Sequence, residues 1–535
     1  MTNKNVMYFS GQEYMIYTAK KMQGKGWNPV FWSTEPTFKK KVTSTFPNAI
    51  TYDHVKLSKG MFSPELKEKI KKINIDLILK KLSIYEGVIM SMIDRVDSLS
   101  NSITKKEKND HYHSLVKYWV YIIDKTKPDY AIFEEEPHLS CEYILYAILK
   151  TLKIKTIMFI NTKFLKTMYP LMNFEDGSKI IKSRYNKNID NLDSKIFELS
   201  NENLSYLKKV RGSFGGAMEL HLYTQKEELE YLTNNKKINF NKIKFFIKFI
   251  YVRLFNKEPL KRFFFLFNIK STRFSKFDSN QKQYGKLLNE SNLTYLEYIY
   301  YAVKTIIKKK YLKNYYSKIS STNFSINTPY LYCQLHYQPE KTTCPIGNSF
   351  DDQIKMVRLL SKACPDNWKI YVKEHPSQFV TNFIKNGEKC RSINYYKEIL
   401  ALPNVVIVSL DYDNFKLIDN AKATVSVTST GGWESLVRGK PSINFGYSWY
   451  RFCKGNFYVY DLNSLKHALN KIQEGYKVNM LHVETFVHTI QNNSFCTYVG
   501  GTLKYKDNVS EEETGLSHAE AINQILSSDE YSNDV

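Results

Sequence analysis

The sequence predicts an α/β fold with two Rossmann-like domains, one in each half of the chain. Two observations lead to this prediction. Short strands rich in β-branched and aromatic residues alternate with helical stretches in both halves, and these strands end in glycine, proline or small polar residues. The 535 residues, 43% of them hydrophobic, also suffice for two or three domains with substantial cores.

The N-terminus begins with a strand, a turn and a helix. Residues 5–10 form the strand, Gly11 the tight turn, and residues 13–22 the helix, before a second strand at 29–33. This order is typical of a βαβ unit. No G-x-G-x-x-G follows the first strand, so a dinucleotide cofactor is not indicated.

A group of acids follows the apolar strand that starts near residue 130. Glu134, Glu135 and Glu136 come first, then His138, and a helix follows at 142–150. If the strand persists, Glu134 and Glu136 share one face and Glu135 lies on the other. A carboxylate here could act as a general base or a nucleophile, with His138 orienting it or sharing its proton. The alternative is a set of solvated acids that cap the next helix.

The middle of the chain is strongly basic and contributes to a net charge of +24. Residues 236–276 are dense in lysine and arginine, interleaved with aromatic and aliphatic residues. Within 241–255 the apolar residues recur at helical spacing, which is typical of an amphipathic helix on an anionic bilayer. The same pattern fits a helix packed on the protein by its aromatic face, with its lysines in solvent.

Other partners and compartments are less favoured. Basic and aromatic residues are interleaved, but no recognisable nucleic-acid-binding module accompanies them, so we do not expect a nucleic-acid partner. The sequence has neither a run of about twenty uncharged apolar residues nor the apolar region of a signal peptide after Met1. The seven cysteines are scattered, without a C-x-x-C motif. We therefore expect a cytoplasmic protein with reduced thiols.

A second α/β domain begins near residue 326. Residues 329–334 form a strand that continues into a polar, aromatic loop with His336 and Gln338. Asp351 and Asp352 start the next helix, where acids suit the helix dipole. We expect the loop on the crevice side of the sheet, where His336 and Gln338 would line a donor pocket. The alternative is an ordinary polar connection.

The next strand, residues 368–373, ends in Lys373-Glu-His-Pro376. Ligands of open α/β sheets bind at the carboxyl ends of the strands, so Lys373 and His375 should face the crevice. A histidine held by the following Pro376 can donate to a phosphate or read a base edge, and the lysine supplies charge.

The most informative stretch is 426–445, which reads as strand, small polar turn, helix, Gly-Lys-Pro and second strand. The turn residues have small side chains or none, so the backbone can approach a ligand and the helix N-terminus can hold an anion. Glu434 lies in the first helical turn, where it could reach a ribose hydroxyl. The turn residues are Thr428, Ser429, Thr430, Gly431 and Gly432. The alternative is an ordinary βαβ turn with a well-capped helix.

Three motifs together resemble the bacterial capsular polysaccharide biosynthesis proteins, a glycosyltransferase-like family that includes Kdo transferases. They are Leu335-His-Tyr-Gln-Pro-Glu340, Lys373-Glu-His-Pro376 and Ser429-Thr-Gly-Gly-Trp-Glu434. The resemblance covers chiefly residues 325–480. It implies a GT-B architecture, in which two Rossmann-like domains face a central cleft and the C-terminal domain binds the nucleotide of an activated sugar.

The resemblance also implies a glycosyltransferase and its substrates. A CMP-sugar is the favoured donor, although the same frame serves CDP and UDP sugars. The acceptor would be a capsular or other cell-surface polysaccharide or its lipid-linked precursor, at the inner face of the cell membrane. Residues expected to bind the nucleotide-sugar are His336, Gln338, Lys373, His375, Pro376, Thr428, Ser429, Thr430, Gly431, Gly432 and Glu434. We expect no cofactor and no metal, since histidine, lysine and helix dipole can stabilise the leaving nucleotide and no Asp-x-Asp is placed to bind a metal.

We assign four regions to the chain. Residues 1–200 are the acceptor domain, 201–325 a basic helical insertion, 326–480 the nucleotide-sugar domain, and 481–535 a C-terminal helix and polar tail. Two other functions fit the sequence. A non-hydrolysing sugar-nucleotide epimerase has the same frame but no acceptor, and a non-catalytic glycan-binding or assembly scaffold has the basic surface but no nucleotide affinity.

Overall fold

A computed structural model describes residues 3–96, 104–162, 167–192, 197–212, 295–379, 389–499 and 509–532. Its first sheet has the order β3-β2-β1-β4-β5-β6. The strands are parallel except β6, which runs antiparallel to β5. These six strands are β1 (Lys4–Phe9), β2 (Trp27–Thr34), β3 (Ile50–Asp53), β4 (Tyr130–Phe133), β5 (Lys155–Asn161) and β6 (Met168–Leu171).

The second sheet repeats this order with a later part of the chain. Its strands run in the order β12-β11-β10-β7-β8-β9, and all are parallel. These strands are β7 (Tyr330–Gln334), β8 (Lys369–Lys373), β9 (Val405–Ile407), β10 (Ala423–Ser426), β11 (Ser442–Asn444) and β12 (Asn456–Tyr458). Both sheets have the Rossmann order 3-2-1-4-5-6. The prediction of two Rossmann-like domains in a GT-B-like α/β fold is confirmed.

Helices connect the strands and cover both sheets. They span Tyr14–Gln23, Pro36–Thr45, His54–Ser58, Pro64–Lys71, Asp76–Leu82, Glu86–Val96, Lys105–Thr126, Ser140–Thr151, Lys179–Asp190, Asn201–Arg211, Tyr295–Ile319, Gln353–Ala363, Ile393–Leu400, Asn414–Asn420, Thr430–Val437, Leu462–Gln473, Met480–Gln491 and Glu511–Leu526. Because helices pack on both faces, central strands such as β4 and β10 are buried along their whole length.

The strand order creates one switch point in each sheet. In the first sheet the chain reverses direction across the sheet between β1 and β4, and in the second between β7 and β10. Ligands of open α/β sheets bind at the carboxyl ends of the strands at such points. The acids after β4 and the small polar turn after β10 therefore lie at the two switch points.

The C-terminal helices pack against the first domain. Helix Met480–Gln491 contacts helix Lys179–Asp190, and helix Glu511–Leu526 contacts helix Tyr14–Gln23. A Cβ atom at Gly515 would lie 2.4 Å from the Tyr14 carbonyl oxygen, so this contact requires glycine. The last described part of the chain is thus a packed helix.

The basic stretch 236–276 and the amphipathic pattern at 241–255 lie outside the described residues. Within the residues that the structure describes, no helix is long and apolar enough to cross a membrane.

Candidate functional site

His336 stabilises the turn after β10 through a hydrogen bond. Its Nε2 accepts a hydrogen bond from the Thr428 N–H at 3.0 Å, so this imidazole nitrogen carries no proton. Burial, with the charges of His375 and Arg391, lowers the pKa of His336 to about 3. We expected His336 to line a donor pocket. The structure instead places it as a neutral, buried support of the turn.

Ser429 begins the helix Thr430–Val437 as its N-cap. The Ser429 Oγ accepts from the Gly431 N–H at 3.1 Å, and the Ser429 carbonyl accepts from Tyr450 Oη at 2.5 Å. Thr430 is exposed at the helix start. A helix begins where the sequence predicted, with its positive dipole end at the second switch point.

Both glycines of this turn are closely packed. A Cβ at Gly431 would lie 2.0 Å from Gln334 Oε1, and a Cβ at Gly432 would lie 2.2 Å from Tyr450 Oη. The first turn of the helix therefore packs directly against the carboxyl end of β7. Gln334 Oε1, at that strand end, is buried and has no hydrogen-bond partner within the described residues. The sequence analysis did not single out Gln334.

Glu434 follows in the first turn of the same helix and is partly exposed. Burial chiefly, and also the nearby Glu434 carboxylate, raises the pKa of Tyr332. Glu434 therefore lies beside β7, on the switch-point side of the helix.

Lys373 turns towards the loop after β9. Its Nζ donates to the Tyr412 carbonyl at 2.5 Å and to Asn414 Oδ1 at 2.6 Å. Burial lowers the pKa of Lys373 to about 8. We expected Lys373 to face the crevice at the strand ends and to supply charge there. Its ammonium group binds these two acceptors.

His375 lies at the end of β8 and is partly exposed. Its Nδ1 accepts from the Ser377 N–H at 3.2 Å, so a neutral His375 carries its proton on Nε2. Pro376 starts the 3-10 turn Pro376–Phe379, which provides this N–H. The local structure fixes the ring tautomer, and Nε2 is the nitrogen that can donate.

A buried ion pair lies behind these loops. Arg391 Nε donates to Glu374 Oε2 at 2.5 Å, and neither side chain is exposed. The same guanidinium donates to Gln338 Oε1 at 2.7 Å and to the His336 carbonyl at 3.0 Å. Gln338, expected in the donor pocket, is buried within this network. The sequence analysis missed Arg391, because nothing local pairs it with a glutamate 17 residues away.

Glu134 lies at the first switch point. It accepts from Ser10 Oγ at 2.7 Å and from Tyr14 Oη at 3.0 Å. Burial is the main cause that raises the pKa of Glu134 to about 7, and the Glu135 charge adds to it, while the two hydroxyl donors oppose it. A carboxyl group with such a pKa can take up or release a proton near neutrality.

Glu135 and Glu136 both bind Lys341 of the second domain. Lys341 Nζ lies 2.6 Å from Glu135 Oε2 and 3.1 Å from Glu136 Oε2. Burial alone would lower the pKa of Lys341, but the two carboxylates together raise it. The alternation of the three acids was expected only if the strand persisted. β4 ends at Phe133, and the consecutive acids Glu135 and Glu136 reach the same cation. Lys341 was not predicted.

His138 joins the two domains through its backbone. Arg95 donates to the His138 carbonyl and, at 2.8 Å, to the Cys344 carbonyl of the second domain. The His138 N–H donates to Glu142 Oε2 at 2.8 Å. Glu142 therefore caps the next helix, a role that the solvated-acid alternative gave to the three preceding acids.

A short series of contacts connects the two switch points. Thr428 Oγ1 donates to the Thr342 carbonyl at 2.6 Å, and the adjacent Lys341 binds Glu135 and Glu136. The candidate phosphate turn and the candidate acids are thus joined through two neighbouring residues of one loop. Of the predicted site residues, the structure thus connects Thr428 with Glu135 and Glu136 across the two domains.

One Asp-x-Asp sequence, Asp411-Tyr-Asp413, follows β9. The Asp413 side chain caps helix Asn414–Asn420 by accepting from the Lys416 N–H at 2.8 Å. Across the described ranges, no group of three or more histidine, cysteine or acidic residues is arranged to hold a metal ion.

Comparison with solved structures finds matches at low similarity. The KpsC β-Kdo 2,7 transferase of Thermosulfurimonas dismutans has 14% identity and a TM-score of 0.23, over 43% of this chain and 67% of that one. The HepE protein of Anabaena, in complex with UDP and glucose, has 9% identity and a TM-score of 0.27, over 98% and 100%. The UDP-GlcNAc 2-epimerase of Neisseria meningitidis has 10% identity and a TM-score of 0.21, over 98% and 99%. TM-scores this low carry no argument about function.

A search of curated proteins finds no match. A comparison with protein-family models does find one, over residues 280–468. This stretch includes all three motifs that the sequence analysis singled out. Residues 280–468 match the family of capsule polysaccharide biosynthesis proteins, as the resemblance of those motifs predicted.

Proposed function

We propose that the protein is a glycosyltransferase that moves a sugar from a nucleotide-activated donor to a capsular or other cell-surface polysaccharide, or to its lipid-linked precursor. The observation that carries this proposal is the contact series from Thr428 through Thr342 and Lys341 to Glu135 and Glu136. This series brings the start of helix Thr430–Val437 and a group of carboxylates close together across the two domains, which supports transfer between two substrates.

The donor would bind at the second switch point. The N-terminus of helix Thr430–Val437 favours a phosphate, and His375 Nε2 can donate to it. Glu434, in the first helical turn, is placed to meet a ribose hydroxyl. We favour a CMP-sugar, because the motifs of this chain resemble a family that includes Kdo transferases. The lysine expected to help, Lys373, is held by other acceptors, so we assign the phosphate to the helix start and His375.

The acceptor would be activated at the first switch point, with Glu134 as the base. Its pKa of about 7 suits proton removal near neutrality better than that of an ordinary carboxylate. The acceptor hydroxyl gives its proton to Glu134 while its oxygen bonds to the anomeric carbon, and the bond from that carbon to the nucleotide breaks. If the anomeric configuration is retained, the same position would suit a carboxylate nucleophile.

The remaining features of the proposal concern cofactors and location. We propose that no cofactor or metal is needed, because the helix dipole and His375 can stabilise the charge of the leaving nucleotide. We also propose a cytoplasmic protein that contacts the inner face of the cell membrane through residues 236–276. That contact rests on the sequence pattern alone.

A transfer assay tests the proposal. The purified protein is incubated with CMP-, CDP-, UDP- and GDP-sugars and a capsular polysaccharide acceptor, and the released nucleotide is measured. We expect one donor to react only when acceptor is present. His375→Ala should abolish transfer while leaving the fold intact. The control is His467→Ala, since His467 is exposed on helix Leu462–Gln473.

Three results would contradict the proposal or favour another function. Undiminished turnover of the His375→Ala variant would remove His375 from the site. Conversion of a donor without acceptor would favour the epimerase. Absence of any reaction together with absence of nucleotide binding would favour the scaffold.

A further inference from the structure

A small cavity lies between the two domains, next to the acids. Glu136, Tyr169 and Gly177 of the first domain line it together with Ser448 and Arg451 of the second. Its volume is about 30 Å³. Since one water needs about 10–15 Å³, the cavity has room for about two or three water-sized atoms, enough for oxygens of a carboxylate or phosphate group.

The guanidinium of Arg451 is incompletely paired. Its Nη2 donates to the Phe174 carbonyl at 2.8 Å, and its planar group lies over the rings of Tyr447 and Phe452. Its Nη1 is buried and has no partner within the described residues. Burial lowers the pKa of Arg451, and nearby tyrosines and Asp176 oppose this only in part. A buried guanidinium with one unpaired nitrogen is stabilised by an anionic ligand.

Two further features of the cavity support this interpretation. Ser448 is 3% exposed, and its Oγ also has no hydrogen-bond partner in the part of the chain that the structure describes. Gly177 has a φ of +71°, and a Cβ there would lie 2.3 Å from Arg451 Nη2. The backbone of the first domain therefore leaves room for the guanidinium.

Glu136 is held by another cation. Its carboxylate lies 3.1 Å from Lys341 Nζ, which it shares with Glu135. Two unpaired donors, Arg451 Nη1 and Ser448 Oγ, thus belong to one cavity without an acceptor for either.

We propose that this cavity binds one anionic group of the acceptor, a carboxylate or a phosphate, through Arg451 Nη1 and Ser448 Oγ. The acceptor is the occupant because Glu136, two residues from the proposed base Glu134, lines the cavity. The assignment of the anion to the acceptor rests on the proposed function. The binding of an anion in this cavity does not depend on the proposed function.

Binding of simple sugars to the full-length protein tests the site without any nucleotide. Glucuronate carries a carboxylate, glucose 6-phosphate carries a phosphate, and glucose is the neutral control. By calorimetry we expect at least one anionic sugar to bind about tenfold or more tightly than glucose, because hydrogen bonds to charged groups are the stronger ones. Which of the two binds distinguishes a glycan carboxylate from a phosphate.

Variants assign the binding to the cavity. Arg451→Gln should reduce the affinity for the anionic sugar to that for glucose, and Ser448→Ala should weaken the binding of the anionic sugar several-fold. Arg358→Gln is the matched control, because Arg358 forms an ion pair with Glu398 at the surface. It should bind like the unaltered protein.

Several results would overturn the proposal. Equal affinity for glucose and both anionic sugars would mean that the cavity holds only water, and unchanged anion binding in Arg451→Gln or Ser448→Ala would place the anion elsewhere. Nucleotide binding, measured on the same variants, separates the two proposals. Its absence together with retained anion binding would remove the transferase while leaving this site intact.

Discussion

Glu134→Gln should make the protein more stable at alkaline pH and inactive as a transferase. Burial raises the pKa of the Glu134 carboxyl from 4.5 to about 7. Between these two pH values the folded protein holds a proton that the unfolded chain has lost. The free energy of unfolding therefore falls as the pH rises through this window.

The size of this effect follows from the pKa. One pH unit corresponds to about 1.4 kcal/mol, so a rise from 4.5 to about 7 costs the ionised form about 3 kcal/mol of stability above pH 8. Glutamine resembles the protonated carboxyl and does not ionise. The stability difference between Glu134→Gln and the unaltered protein should thus grow by about 3 kcal/mol in favour of the variant from pH 4 to pH 8.

Urea unfolding at a series of pH values measures this difference. Glu398→Gln is the control, because Glu398 is an exposed partner of Arg358 and its substitution should change stability by less than about 0.5 kcal/mol at each pH. In the transfer assay, kcat/KM should rise with pH with a midpoint near 7, and Glu134→Gln should lower it by about 100-fold or more. A stability difference that does not vary with pH would refute the reasoning.

Three further substitutions test the site. Arg391→Met leaves Glu374 buried without its cation, so the free energy of unfolding should fall by about 3–5 kcal/mol in urea titrations, and a loss below about 1 kcal/mol would contradict the buried pair. Gly432→Ala places a Cβ 2.2 Å from Tyr450 Oη, which should cost about 1–3 kcal/mol and weaken nucleotide binding in calorimetry. Lys341→Met removes the cation that Glu135 and Glu136 share. The melting temperature of this variant should fall at pH 7 and recover towards that of the unaltered protein at pH 4. An equal loss at both pH values would exclude a role of charge.

Local patterns in the sequence predict much of the fold. Short runs of β-branched and aromatic residues located the strands, because a strand buried by helices on both faces is apolar along most of its length. The helix start at Ser429 was also predictable, since a small polar residue before two glycines both caps a helix and permits close packing. These features depend on residues that are close in the chain.

The contacts that define the site depend on residues far apart in the chain. The ion pairs of Arg391 with Glu374 and of Lys341 with Glu135 could not be predicted from the sequence. They produce no periodic pattern, and charged residues in loops usually face solvent. The buried position of the His336 side chain could not be predicted from the sequence either. Its role depends on the Thr428 N–H, which only the completed second sheet brings within 3.0 Å.

Calorimetric titration with CMP, CDP, UDP and GDP tests the central claim, that a nucleotide binds at the second switch point. We expect one of the four to bind and to raise the melting temperature of the protein. His375→Ala should lose this binding, and His467→Ala should retain it. No binding of any nucleotide to the unaltered protein, or equal binding to His375→Ala, would contradict the account.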